Sequence, residues 1–165
     1  ILERGDNPDE LIKIFGNAIS RCVAEKPSDM VITTHMCRGN FQSTWMTSGG
    51  YEPVAEIMFD NLDTDGFFME YDSDRAGGFE PLRFANKNQT IILGLVSSKI
   101  PTIETKDEIK RRIEEAEKYI TIENLCLSPQ CGFSSTHHGN NLSIDDQRKK
   151  LELVVEVADE VWGGS

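Results

Sequence analysis

Four short apolar runs recur every ~25–36 residues along this 165-residue chain, and helix-period patterns alternate with them. The runs are Met30–Thr34 ending at His35, Phe67–Met69 ending at Glu70, Ile91–Val96 and Leu125–Leu127. Ahead of them Asn7 can cap a helix, with Pro8 in its first turn. Leu11, Ile12, Phe15, Ile19, Cys22 and Val23 then follow at helical spacing. Further helices are predicted over 51–60, weakly near 78–85, and from the Thr105–Glu108 capping box to about Ile120. Ser143 caps a last helix, with Leu151, Val154, Val155, Ala158 and Val161 along one side. Loops fall at 38–50, 71–78 and 128–142. The order α(βα)₄, with short apolar strands, predicts parallel pairing under covering helices. Two architectures satisfy it: an open doubly wound sheet, or half of an eight-stranded barrel that needs ~250 residues when complete. No glycine-rich phosphate fingerprint follows any strand, which weakens the nucleotide-binding version of the first.

Hydrophobic residues make up 38% and charged residues 27%, as expected of one globular domain. A net charge of −11 argues against nucleic-acid backbones and anionic membranes as partners. No apolar run approaches the ~20 residues of a membrane span, and no secretory leader is recognised at the start. The chain opens on Ile1 and reads as a piece of something longer. Its four cysteines, Cys22, Cys37, Cys126 and Cys131, fall on helix and strand patterns, so reduced thiols and a cytoplasmic location are expected. Cys22 and Cys126 read as core residues.

Chemistry concentrates at strand ends. His35 and Cys37 are two apart, so an extended strand points both to one face. Glu70 closes a very apolar strand, where a carboxylate must be exposed or paired with a cation. Cys131 lies in the polar turn Ser128-Pro129-Gln130-Cys131-Gly132. Two thiolates, an imidazole and a carboxylate make four candidate ligands for one tetrahedral zinc ion. His137 and His138 are read as exposed loop residues, and Ser98-Lys99 as ordinary loop chemistry.

At these residues the sequence resembles the C-terminal catalytic barrel of cobalamin-independent methionine synthase, and more closely the shorter bacterial proteins like it. The matching segments are Thr34-His35-Met36-Cys37, Gly66–Glu70, Gly94-Leu95-Val96 with Ile100–Glu104, and Leu127–Gly132. The resemblance implies that residues 1–165 are the C-terminal half of a TIM (β/α)₈ barrel, four βα units preceded by a helix. It implies zinc on His35, Cys37, Glu70 and Cys131; Glu70, the hardest of the four and so the weakest partner for zinc, is the ligand expected to yield to a substrate thiol. It implies methyl transfer from 5-methyltetrahydrofolate polyglutamate to homocysteine, giving methionine. Two departures stand out. Full methionine synthases carry an Asp and then His-Ser-Pro after the third strand, where this chain has Ser97-Ser98-Lys99-Ile100-Pro101. They also have Asp where it has Gln130.

The expectation is a zinc-dependent methyltransferase of a small thiol, with Glu70 catalytic and Tyr71, Asp72 and Ser73 lining the substrate pocket. An isolated half barrel is also expected to self-associate through its open edges. A non-catalytic zinc-stabilised module, or a related zinc enzyme acting on another carbon–sulfur bond, are the alternatives.

Overall fold

The computed structural model describes Gly5 and residues 7–163. Its sheet has four parallel strands in the order β1-β2-β3-β4, namely β1 Thr33–Met36, β2 Gly66–Glu70, β3 Thr90–Val96 and β4 Leu125–Pro129. Helices α1 Pro8–Val23, α2 Glu52–Asn61, α3 Lys106–Glu117 and α4 Ile144–Trp162 complete the fold, and β2 is followed by short 3₁₀ turns at Asp74–Ala76 and Glu80–Phe84. The strand order decides between the two architectures. A doubly wound sheet reverses direction at a switch point. Here every crossover moves one strand along, so right-handed connections place all the helices on one face. The chain is an α/β half barrel.

Side-chain alternation sorts the strands into two faces. Phe67, Met69, Ile91, Leu93 and Leu125 are buried with Ala55, Met58 and Phe59 of α2, Ile109 and Ile113 of α3, and Leu153 and Val157 of α4. The other face carries the cross-strand row His35, Phe68, Ile92, Cys126. That row is uncovered except at Ile92, and Phe68 is 37% exposed. Glu70 and Gly94 continue this face toward the C-terminal end.

Several expectations shift. The first strand is displaced to Thr33–Met36, and Met30 and Val31 are exposed rather than core. As an edge strand, β1 extends only as far as β2 pairs with it, and the Ile32 N–H is taken by the Asp65 carboxylate instead. Cys22 and Cys126 are exposed too. Cys126 alternates with Leu125 and Leu127 and so faces away from the helices. On α4 the packed stripe is Lys150, Leu153 and Val157, leaving Leu151 and Val155 exposed. The capping predictions hold. The Asn7, Thr105 and Ser143 side chains each accept a backbone N–H, and at Ser143 the Asp146 carboxylate completes a reciprocal box. None of the described helices is long and apolar enough to cross a membrane.

Candidate metal centre

The C-terminal ends of the strands bring together three of the four expected ligands. His35 lies within β1, Cys37 one residue past it, and Cys131 two residues past β4. Their ligand atoms all lie within 4.8 Å of one another, with Cys131 Sγ 3.5 Å from His35 Nε2. Local backbone explains the convergence. Alternation in β1 aims His35 and Cys37 the same way. Cys131 reaches across because β4 shifts register against β3 between Gly94 and Val96, and the Gln130 N–H bonds the Val96 carbonyl at 2.8 Å. Gly94 makes room for this turn. A Cβ there would stand 2.9 Å from the Met69 carbonyl oxygen and 3.2 Å from the Gln130 Cα. Cys131 itself sits at φ 25°, an uncommon backbone state for a non-glycine residue.

Two neighbouring sulfurs cannot both ionise cheaply without a cation between them. Burial, then the nearby Cys37, pushes the Cys131 thiol well above its ordinary range, with Lys99 opposing weakly. N–H groups already point at both sulfurs: Gly39 N–H donates to Cys37 Sγ at 3.0 Å and the Gln130 amide to Cys131 Sγ at 2.6 Å. One imidazole and two thiols in reach of a common point suit zinc far better than magnesium or calcium. A hollow of about 370 Å³ beside His35 and Cys131, walled by Phe68, Pro129 and Phe133, gives a small ligand access.

Glu70 is placed differently. Its carboxylate is 1% exposed and is held by cations rather than grouped with the sulfurs. Oε2 accepts the Arg38 backbone N–H at 2.7 Å. Oε1 accepts from Arg75 at 3.0 Å and Lys99 at 3.4 Å. Burial alone would raise its pKa, but the Arg38 N–H, Lys99 and Arg75 outweigh it and hold the carboxyl below its ordinary value. Tyr51 stitches this end of the sheet together: its hydroxyl accepts the Glu70 N–H at 2.8 Å and lies 3.2 Å from the Met36 carbonyl. The Arg38 guanidinium stacks 4.3 Å over the Tyr51 ring.

Lys99 is the residue the sequence reading missed. It is 4% exposed, and its ammonium contacts Glu70, Asp72 at 3.5 Å and the Gln130 side-chain oxygen. Ser98, fully buried, donates to the same Gln130 oxygen at 3.2 Å. The available signal was position: Ser98-Lys99 leaves the most apolar strand at the end where Glu70 and Cys131 also lie. Arg38 and Arg75 were equally overlooked. The three residues after Glu70 do not line the thiol hollow. The Tyr71 ring packs between Tyr51 and Phe79, Asp72 pairs with Lys99 and Arg75, and the Ser73 hydroxyl is buried without a partner. His137 and His138 are exposed, stacked on one another, with His138 against Phe41.

A parallel α/β sheet with a soft-ligand cluster at its C-terminal end defines a catalytic domain of the barrel type. Residues 11–160 match the family described as cobalamin-independent synthase, catalytic domain, and the chain belongs to that family. It is 52% identical to the uncharacterized protein YxjG of Bacillus subtilis and 50% identical to YxjH, over 159 residues in each case. Those matches take in 96% of this chain but 42% of each relative, so the chain spans less than half their length. Methionine synthase of Pyrococcus abyssi is 30% identical over 129 residues, covering 77% of this chain and 33% of that protein. Among solved structures, a Listeria monocytogenes protein named for vitamin-B12-independent methionine synthase superposes with a TM-score of 0.75 at 37% identity. That overlap covers 96% of this chain and 43% of the other. A B12-independent methionine synthase from Shewanella superposes with a TM-score of 0.69 at 18% identity, covering 92% and 46%, which speaks to the fold alone.

Proposed function

We propose that the protein containing this chain is a zinc-dependent methyltransferase that methylates homocysteine to methionine, with a 5-methyltetrahydrofolate polyglutamate as donor. The observation carrying this reading is the convergence of His35, Cys37 and Cys131, from three separate segments, within 4.8 Å. These three residues would hold the metal, and Glu70 would be its fourth, exchangeable ligand. Bound zinc supplies a lowered thiol pKa, so that the substrate sulfur reacts as a thiolate near neutral pH. In the transfer the sulfur would attack the methyl carbon as the bond from that carbon to the donor nitrogen breaks; the thiol gives up its proton and the donor nitrogen takes up one, so the products are the thioether and the N–H form of the donor. The chain's own residues provide the rest. Arg38, Arg75 and Lys99 retain the Glu70 carboxylate when it is off the metal, and Phe68 and Phe133 give an apolar wall for a short thiol stem. A closed structural site would bind all four ligands to the ion. The grouping of three ligands, with Glu70 held by its own cations, favours an open catalytic position. Family membership and reduced thiols support a cytoplasmic enzyme of methionine biosynthesis.

Zinc content after purification tests the ligand set. About one zinc per chain, lost in Cys131→Ser, is expected; no zinc in the unmutated chain would remove the basis of the reading. Methyl transfer to homocysteine is then assayed on the longer parent. We further infer that the isolated chain self-associates, since both edge strands and Phe68 are uncovered. Sedimentation showing a monomer at micromolar concentration would refute this.

A further inference from the structure

Buried polar side chains almost always find a hydrogen-bond partner, and those that do not call for an explanation: strain, a catalytic role, or a water, ion or ligand that completes them. Five such atoms meet at one place. Behind Glu70, between the loop after β2 and the N-terminal half of α3, lies a cavity of about 160 Å³. The Tyr71 hydroxyl, Asp72 Oδ1, the Ser73 hydroxyl, and Arg112 Nε and Nη2 are all buried there without a hydrogen-bond partner, although Arg75 Nη2 stands 3.6 Å from Asp72 Oδ1. Tyr71 is 1% exposed, and the side chain of Asp72 is 2% exposed. The nearest acid to Arg112, Glu115, stands 3.6 Å from Nε, too far for a hydrogen bond. The Arg112 guanidinium is nonetheless fixed in place, stacked 4.6 Å over the Phe79 ring.

The chemistry of the free atoms restricts the ligand. Asp72 offers an acceptor, Arg112 offers a donor fork, and the two hydroxyls can act either way. Around them stand the carboxylates of Asp72, Asp74, Glu104 and Glu108 and the guanidiniums of Arg111 and Arg112. A simple anion would meet four carboxylates, and a simple cation would meet two guanidiniums. A zwitterion answers both charges: its carboxylate suits the Arg112 fork, and its ammonium suits Asp72. The volume is that of about five water molecules, room for an ammonium–Cα–carboxylate unit. Leu95 and Ile109 supply an apolar surface for its side chain.

We propose that this cavity binds the head group of an α-amino acid. The site is separate from the thiol cluster and does not depend on metal. Asp72 joins the two, because its other oxygen contacts Lys99, which contacts Glu70. Occupancy of the cavity therefore acts on the cations that hold Glu70, and by reciprocity the state of Glu70 acts on amino-acid affinity.

Calorimetric titration of the zinc-stripped chain with L-methionine tests this, with methioninamide and 4-(methylthio)butanoate as probes lacking the carboxylate and the ammonium. Saturable methionine binding is expected, at least tenfold weaker for either analogue. Arg112→Leu and Asp72→Asn should each weaken it at least tenfold, and Cys131→Ser should leave it unchanged. Arg112→Lys, which keeps the charge without the fork, covers the case in which Arg112→Leu fails to fold, and should bind several-fold more weakly. No saturable binding would mean that solvent alone fills the cavity, and the proposal fails. Binding that survives the Arg112 variants, or that is lost in Cys131→Ser, overturns it as well. Failure here leaves the zinc reading intact, since metal content is measured separately.

Discussion

The two ends of the sheet handle polar groups in opposite ways. At the N-terminal end, apart from the Lys26–Asp65 pair, side chains close on backbone. The Gln89 amide donates to the Phe59 and Leu62 carbonyls, Asn86 donates to Phe59, Asn124 donates to the Lys87 and Gln89 carbonyls, and Asp65 takes the Ile32 N–H. At the C-terminal end, side chains close on one another, with three cations around Glu70 and two sulfurs beside an imidazole. Of the buried side-chain polar atoms left without a partner among the described residues, only the Thr64 hydroxyl belongs to the N-terminal end. One end is satisfied by the fold itself, as a stabilising end should be. The other carries the soft-ligand cluster and most of the unpartnered polar atoms, and this division of labour is the one expected of barrels.

Mutations can break this contrast. The largest effect is expected from Glu70→Gln, which strands Arg38, Arg75 and Lys99 in a buried site. Urea unfolding should show a loss of about 3–5 kcal/mol, and a loss under 1 kcal/mol would mean that the cations relax to solvent. Next, zinc at a hundredfold excess over its dissociation constant should stabilise the unmutated chain by about 2.7 kcal/mol. Cys131→Ser should abolish that gain while leaving metal-free stability nearly unchanged. Gln89→Ala, at the other end, uncovers two buried carbonyls and should cost about 2 kcal/mol with no change in zinc affinity. The smallest effect concerns pH. The hydrogen bond from Lys26 and the Ile32 N–H hold the Asp65 carboxyl below its ordinary value. The tether it gives β1 is therefore complete above about pH 3.9 and is lost as pH falls through the lowered folded pKa. Amide exchange at Ile32 should accelerate in that acid window, and Asp65→Asn should remove the pH dependence.

Much of this was legible in the sequence. Periodicity placed β2, β3 and β4, and β1 a few residues too early, while the Asn7, Thr105 and Ser143 caps were read correctly, because apolar alternation and Ser, Thr or Asn at helix starts are local signals. The convergence of His35, Cys37 and Cys131 followed from strand-end placement. Other features were not legible, because they depend on what lies opposite. Cys126 reads as core in a strand pattern and is exposed only because its face of the sheet is uncovered. Lys99 reads as a loop lysine and is buried only because Glu70, Asp72 and Gln130 arrive from other segments to meet it. Glu70 was assigned a cation partner in principle, but its three cations lie 32, 5 and 29 residues away.

The contact between Lys99 and Gln130 bears on how this lineage can evolve. Position 130 is Asp, and the segment around position 99 carries His-Ser-Pro, in the full methionine synthases that the sequence resembles. Here the two departures touch, the Lys99 ammonium donating to the Gln130 side-chain oxygen, so a change at one alters the surroundings of the other. An Asp at 130 facing Lys99 would draw the ammonium away from Glu70 and Asp72. Changing either position alone should therefore disturb the other, and across a deep alignment the two positions should switch together.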